Sequence, residues 1–228
     1  PLDVILVGAA TFVVMLTALV TALLASPAER VEGDLFRIFY FHLPLALLTY
    51  LAFFVTFIAS IVFLLRPNEA LDRVALASAE IGLLFCTLVL ATGSIWGRSV
   101  WGVWWTWDAR LTSTLVLWFI YLGYLMIRSY IEDRGRAARY AAILGIVGFL
   151  DVPIVQFSVT WWRTIHPQST VTASLGQSLP AGMQWALLSG MLAFTLLYVE
   201  LLLLRVWVET LRDRQRALAE RLLDAEGQ

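Results

Sequence analysis

Six long apolar stretches dominate this chain and limit what it can fold into. They cover roughly residues 3–25, 43–65, 75–95, 112–128, 139–159 and 183–207. Each is close to the roughly 20 residues that an α-helix needs to cross a bilayer. A chain in lipid must satisfy its own backbone hydrogen bonds, so we expect these stretches to be helices. The sequence therefore predicts an all-α integral membrane protein, a bundle of six transmembrane helices.

Composition supports one membrane domain. Only 14% of the residues are charged, against about a quarter in a soluble domain. We predict a single transmembrane domain over 1–208 and a polar cytoplasmic tail over 209–228, most simply a solvated helical extension. The first stretch lacks a basic leader and a cleavage site, so it is interpreted as a retained span. The single cysteine, Cys86, excludes an intramolecular disulfide and a Cys-x-x-Cys-His haem-attachment site.

The basic residues predict the orientation in the membrane. All sixteen are arginines, because the chain contains no lysine. Eleven lie in or beside the connections 66–74 and 128–139 and the C-terminal segment, and five lie in 26–42, 96–111 and 160–182. The excess of positive charge on cytoplasmic loops places the first group and both termini in the cytoplasm. The second group of connections then faces the periplasm, and the near-neutral net charge gives no reason to expect a nucleic-acid partner.

The two histidines, His42 and His166, are predicted to share one side of the membrane with the tryptophan-rich stretch 101–108. Two apolar stretches separate His42 from Trp101, and two more separate Trp101 from His166. An even number of crossings returns the chain to the same face. This conclusion holds for either orientation.

Most of the tryptophans also belong to that side. Seven of the ten are Trp96, Trp101, Trp104, Trp105, Trp107, Trp161 and Trp162. An interfacial belt remains an alternative, but a belt should populate both interfaces, and only Trp207 lies near the other one. If 101–108 is helical, Trp101, Trp104, Trp105 and Asp108 share one face. Such an aromatic shelf would suit a large planar ligand.

Histidine and arginine suggest which planar ligand this is. Neutral imidazole is a common ligand of transition metals, and haem is a planar ring whose iron takes axial nitrogen ligands. His42 and His166 are therefore candidate axial ligands. Haem also carries propionates, which favour arginine, and the candidates are Arg37, Arg98, Arg110 and Arg163. Each of these four arginines could equally be an ordinary interfacial side chain.

The stretch "WGVWWTWDARLT" at 101–112 resembles the tryptophan-rich WWD signature of membrane haem-handling proteins. With "FRIFYFHLP" before it and "SVTWWRTIHPQST" after it, the chain resembles the CcmC family, the haem exporter C subunits of cytochrome c maturation. The resemblance implies a bacterial inner-membrane bundle with a periplasmic haem site. It implies that haem b is held transiently and non-covalently by the stretch from Trp101 to Asp108 together with Trp161 and Trp162. It also implies that His42 and His166 approach the iron from opposite faces.

The resemblance also implies partners. They are a membrane-anchored periplasmic haem chaperone (CcmE-like), an ABC-type ATPase and its membrane subunit (CcmA-like and CcmB-like) and a small single-span subunit (CcmD-like). The chain lacks a phosphate-binding Gly-rich Lys-Ser/Thr loop, so ATP hydrolysis would belong to a partner and this chain is expected not to be an enzyme. The alternatives are a b-type cytochrome that transfers electrons, and a haem-free scaffold that docks a partner through its tryptophans.

Asp151 lies inside the fifth apolar stretch, two residues before Pro153. An ionisable residue at such depth is a functional candidate. It could instead hold a proline kink through a hydrogen bond.

Overall fold

The computed structural model describes residues 2–166 and 179–226. Their regular structure is helical. A five-residue π-turn over Thr21–Ala25 extends the first helix, and a 3-10 turn over Asp34–Ile38 leads into the second. The α-helices are α1 (Leu2–Val20), α2 (Phe39–Leu65), α3 (Glu69–Trp101), α4 (Ala109–Tyr130), α5 (Arg134–Phe149), α6 (Asp151–Trp161) and α7 (Ala181–Glu226).

Six helical units in the described residues are long and apolar enough to cross a membrane. This confirms the predicted all-α membrane protein with six spans. The fifth span, Arg134–Trp161, consists of α5 and α6 with a break at Leu150. Asp151 is the first residue of α6, which places Pro153 in the first turn. Proline is tolerated there because the N–H groups of a first turn have no partner within the helix.

Two helices extend well beyond their apolar stretches. α3 continues to Trp101, so Trp96 and Arg98 belong to the helix instead of the following connection. α7 runs without interruption from Ala181 to Glu226 and includes the charged C-terminal segment. Hydropathy does not detect such extensions, because polar residues outside the hydrocarbon region remain good helix formers.

Short polar side chains begin three of the helices. Asn68 accepts a hydrogen bond from the backbone N–H of Ala70 at the start of α3, and Asp133 accepts one from Arg136 at the start of α5. Asp108 accepts one from Leu111 at the start of α4, at 2.9 Å. Each cap satisfies a backbone donor that has no partner within its helix. The connections between α2 and α5 therefore end at positions that their own residues define.

The hairpin of α2 and α3 is the centre of the bundle. α4, α5 and α6 pack on one side of it, and α7 packs on the other and carries α1. In the core the ring of Phe53 stacks on that of Tyr121, with centroids 3.6 Å apart. The start of α7 packs Met183 and Ala186 against Phe39 and Tyr40. The two residues of α2 that directly precede Phe41 and His42 are thus fixed by α7.

One end of the bundle, here called the arginine-rich end, contains the turns α2–α3 and α4–α5 and the C-terminal half of α7. Arg205 of α7 forms an ion pair with Glu80 of α3, with Nη2 and Oε1 2.8 Å apart, and also binds Glu209. Glu80, an acidic residue inside the third apolar stretch, is thus paired within the chain.

Further ion pairs join the same end. Arg128 binds both carboxylate oxygens of Asp72, with an Nη2–Oδ2 distance of 2.7 Å. Asp213 of α7 accepts hydrogen bonds from Arg73 at 2.9 Å and from Arg134 at 2.8 Å. α3, α4, α5 and α7 are therefore held together where they meet at this end.

Candidate functional site

Three segments that are far apart in sequence meet at the opposite end, here called the tryptophan-rich end. The Nε1–H of Trp96 donates to Glu32 at 2.8 Å, which ties α3 to the connection after α1. The ring of Trp101 lies 5.8 Å from that of His166, which ties α3 to the residues after α6. The ring of His42 lies 5.7 Å from that of Trp96. Both histidines thus lie at the same end as the tryptophan stretch, as the number of crossings predicts.

His42, His166 and Arg110 line one cavity between α2, α3 and α4. The rest of its lining is mostly apolar and includes Tyr50 and the buried Cys86. Its volume is about 50 Å³, and one water molecule needs roughly 10–15 Å³ of such a cavity. The cavity can therefore hold a few water molecules but not a whole porphyrin ring.

His42 is the fourth residue of α2 and is half-buried. Its Nδ1 lies 2.8 Å from the hydroxyl oxygen of Thr92 on α3. Gly93, the next residue of α3, passes directly beside the imidazole ring. A helix start on α2 and one turn of α3 together determine where this ring lies.

His166 is held differently, since it follows the end of α6. Its backbone N–H donates to the hydroxyl of Thr164 at 3.1 Å. Its Nδ1 is buried and has no hydrogen-bond partner among residues 2–166 and 179–226. Burial, together with the positive charge of Arg110, lowers the pKa of His166 to about 4. The imidazole is therefore neutral near pH 7, which is the form that binds metal ions.

Of the four candidate arginines, Arg110 alone lines the cavity with the histidines. Its Nη1 is buried without a hydrogen-bond partner among the described residues. Arg37 pairs with Asp34 at 2.8 Å, Arg98 donates to the carbonyl of Gly102, and Arg163 is exposed. Arg110 is thus the one candidate of the four that brings a positive charge to the cavity beside the histidines.

The prediction of a helical aromatic shelf over 101–108 is wrong. α3 ends at Trp101 because Gly102 adopts a left-handed conformation with φ of 77°, which glycine adopts at little cost. α4 begins only at Ala109, and Asp108 has extended backbone angles as its cap. Residues between these two points are not helical. The spacing of Trp101, Trp104, Trp105 and Asp108 therefore does not place them on one helix face.

The tryptophans of this stretch divide into exposed and half-buried side chains. Trp104 is 62% exposed and Trp107 is 77% exposed. Trp105 packs its ring edge-on against Trp107 at 5.6 Å, and its Nε1 is buried without a hydrogen-bond partner within the described parts of the chain. The stretch presents aromatic surface to the outside and an indole donor to the inside.

Trp161 and Trp162 lie at the end of α6, and both are exposed. Their rings meet edge-on at 5.8 Å, and Trp161 also stacks on Phe157 at 5.5 Å. They extend the aromatic surface at the end of α6, which His166 follows in the chain.

Sequence reasoning missed Tyr50, Thr92 and Gly93. Tyr50 follows His42 by eight residues in α2 and so lies on the same helix face, a signal that was available. Thr92 and Gly93 gave no such signal, because α3 is apolar on most sides here and its rotation against α2 cannot be read from periodicity.

Comparison with known proteins shows what this chain is related to. The model of a family described as "CcmC: Heme exporter protein C" matches residues 3–221. The chain is 41% identical to "Heme exporter protein C" of Bradyrhizobium diazoefficiens, over 92% of this chain and 80% of that protein.

More distant relatives agree. The chain is 37% identical to "Heme exporter protein C" of Escherichia coli K12, over 79% of this chain and 73% of that one. It is 33% identical to a "Putative cytochrome c biosynthesis ccmC-like mitochondrial protein" of Arabidopsis thaliana, over 98% and 84% of the two chains. The family match covers the first five spans, nearly all of the sixth, and both histidines. This chain therefore belongs to the heme exporter protein C family of cytochrome c biogenesis.

Proposed function

We propose that this chain binds haem b non-covalently at its tryptophan-rich end and delivers it to a periplasmic, membrane-anchored haem chaperone. The observation that carries this proposal is the common cavity of His42, His166 and Arg110. These residues come from α2, from the segment after α6 and from α4. The fold thus brings two metal-binding side chains and one cation to the same place.

The two histidines would be the axial ligands of the haem iron. The pKa of His166 is low enough to keep its imidazole neutral, so no proton has to leave before the nitrogen binds iron. Arg110 has a buried Nη1 without a partner among residues 2–166 and 179–226 and is suited to a propionate carboxylate, which an arginine fork binds with two hydrogen bonds. Arg37, Arg98 and Arg163 remain further candidates nearer the surface.

Haem would require the cavity walls to separate, because the cavity is smaller than the ring. His42 and Arg110 are carried by helices that pack in the bundle, whereas His166 lies beyond the end of α6. We infer that the wall carrying His166 gives way and that the ring enters at the mouth of the cavity. The exposed rings of Trp104, Trp107, Trp161 and Trp162 would then cover it, since aromatic faces pack well on flat apolar ligands.

The chain would act as a transport subunit and not as an enzyme. It would work in the bacterial inner membrane with both termini in the cytoplasm and the haem site facing the periplasm, as the arginine distribution indicates. ATP hydrolysis would come from an ABC-type ATPase (CcmA-like) with its membrane subunit (CcmB-like), assisted by a small single-span subunit (CcmD-like). The haem chaperone (CcmE-like) would receive the cargo.

An absorption spectrum tests this function. The purified chain, supplied with haem, should show a Soret band and the sharp reduced bands of a low-spin, bis-histidine iron. The double variant His42→Ala, His166→Ala should lose the haem or become high-spin. The control is Trp207→Ala, a change at the arginine-rich end, which should leave the spectrum unchanged. An unaltered low-spin spectrum in the double variant would remove both histidines from the site, and failure to bind haem even with the partner subunits would refute the proposal.

A further inference from the structure

The hydroxyl of Thr92 lies between Nδ1 of His42 and two backbone carbonyls of its own helix, those of Leu88 and, at 3.3 Å, of Val89. These contacts together determine the proton on His42. The hydroxyl oxygen lies 2.8 Å from Nδ1 of His42 and 2.7 Å from the backbone carbonyl oxygen of Leu88, one turn earlier in α3. A hydroxyl has a single proton to donate, and a carbonyl can only accept. Threonine in a helix commonly donates to the carbonyl four residues before it. The Thr92 oxygen is then the acceptor toward the imidazole, so Nδ1 of His42 carries the N–H.

This assignment leaves Nε2 of His42 as the basic nitrogen. A neutral imidazole has one donor and one acceptor nitrogen, and only the acceptor can bind a metal ion. Metal-binding histidines usually donate their other N–H to a fixed acceptor, which sets both the tautomer and the ring orientation. In this chain that acceptor is a hydroxyl on the neighbouring helix.

Gly93 provides the room that this hydrogen bond requires. A Cβ atom at this position would lie 3.2 Å from Cε1 of His42 and 3.9 Å from its Nδ1. The first distance is shorter than ordinary van der Waals contact, so any side chain would push the ring away from α3. The absence of a side chain at residue 93 therefore lets the ring reach the hydroxyl at residue 92.

We propose that Thr92 and Gly93 are positioning residues for His42, which fix its ring with Nδ1 protonated and Nε2 free before any haem is bound. The proposal rests on the haem-binding function above for the identity of the metal group. The tautomer itself is a property of the haem-free protein. His42 is in this sense a ligand prepared in advance.

Nitrogen NMR of the haem-free protein tests the tautomer directly. We would label histidine with ¹⁵N in a His166→Gln background, so that His42 is the single imidazole. The signals of a protonated and a bare ring nitrogen are well separated. We expect Nδ1 protonated and Nε2 bare in this parent. Thr92→Val, which keeps the side-chain shape but removes the acceptor, should give a mixture of tautomers, and Thr92→Ser should restore the single form.

A second threonine provides the matched control. Thr195 of α7 donates to the carbonyl of Met191 at 2.7 Å in the same manner, so Thr195→Val removes an equivalent helix hydrogen bond away from the imidazole. It should leave the His42 signals unchanged. A proton on Nε2 in the parent, or an unaltered tautomer in Thr92→Val, would overturn the proposal.

Haem binding supplies an independent measurement with His166 restored. Thr92→Val should weaken haem affinity by about tenfold, the lower range for loss of a partner that orients a metal ligand. Gly93→Ala should raise the high-spin fraction, because the displaced ring no longer reaches the iron fully. If the tautomer responds as expected while the parent binds no haem, the proposed function fails and the positioning of His42 stands.

Discussion

The two ends of this bundle treat their polar side chains in opposite ways. At the arginine-rich end the carboxylates of α3 and α7 face arginines at hydrogen-bonding distance. Six buried side-chain atoms in the described residues lack a hydrogen-bond partner, and four of them lie at the tryptophan-rich end. These four are Trp105 Nε1, Arg110 Nη1, Thr112 Oγ1 and His166 Nδ1.

The two ends of the bundle therefore serve different purposes. A buried polar atom without a partner costs about 1–3 kcal/mol, so a fold selected for stability alone would pair such atoms or replace them. The arginine-rich end is built in that way and fastens the helices. The tryptophan-rich end retains groups without a partner among the described residues, and two of them, on Arg110 and His166, line the cavity, which is the arrangement expected of a site that a ligand completes.

The largest expected effect is the loss of an ion pair at the arginine-rich end. Arg205→Ala should lower the free energy of unfolding by about 2 kcal/mol, because it removes the cation that pairs with Glu80 and leaves the buried Glu209 with Arg212 as its remaining partner. The haem affinity of the folded protein should not change. Denaturation in detergent measures the free energy of unfolding, and haem titration of the folded protein measures the haem affinity.

Arg216→Ala is the control for that change. The side chain of Arg216 is 55% exposed and lies 3.8 Å from Asp213, and exposed pairs of this kind contribute about 0–1 kcal/mol. Equal effects of the two alanine substitutions would contradict the distinction between the two ends.

At the tryptophan-rich end the same kind of substitution should have the opposite sign. Arg110→Leu should raise the free energy of unfolding of the haem-free protein by about 1 kcal/mol, because it removes a buried nitrogen that has no hydrogen-bond partner in the described part of the chain. It should weaken haem binding by about tenfold, the equivalent of one charge-assisted hydrogen bond. Thermal unfolding tests the expected gain in stability, and haem titration tests the expected loss of affinity. A loss of stability would show that Arg110 is paired in the haem-free state.

The helix caps allow a matched pair of changes at the two ends. Asn68→Ala and Asp108→Ala should each lower the free energy of unfolding by about 1 kcal/mol, because each removes the acceptor of a first-turn N–H. Only Asp108→Ala should also weaken haem binding, since the first turn of α4 carries Arg110. Asp108→Ser, which can still cap, should behave as the parent. If serine fails as alanine does, the carboxylate has a role beyond capping.

The smallest effect on stability is expected at the surface. Trp107 is 77% exposed, so Trp107→Ala should change the free energy of unfolding by less than about 0.5 kcal/mol. Haem affinity should fall about fivefold through the loss of one aromatic contact. Trp207 of α7, 42% exposed at the other end, is the control, and Trp207→Ala should leave haem affinity unchanged. Equal losses would assign the tryptophans a general role in membrane insertion.

The six spans and the shared side of the histidines were predictable from sequence. Apolar length fixes the number of crossings, and that number places His42 and His166 at one end whatever the side-chain contacts are. The boundaries of the helices were harder to predict. The four tryptophans of 101–107 fit a helical spacing, but Gly102 and Asp108 decide the backbone. Both are residues typical of a helix end and a helix start, so the signal was present and was outweighed by the spacing.

Side-chain pairing across helices was beyond sequence reasoning. Glu80 and Arg205 are paired although they lie on helices that are distant in sequence. The hydrogen bond between His42 and Thr92 depends on how α3 is rotated against α2. Periodicity sets such a rotation only when a helix has one polar face, and neither helix has one at this depth.

The length of α7 connects the arginine-rich end to the surroundings of His42. From Ala181 to Glu209 this unbroken helix extends over about 40 Å. Its start packs against Phe39 and Tyr40, just before His42. If α7 tilts by about 5° about Arg205 and Glu209, its N-terminal end moves by about 4 Å. A partner that binds the C-terminal part of α7 and tilts the helix would thus loosen the surroundings of His42 from the opposite end of the bundle.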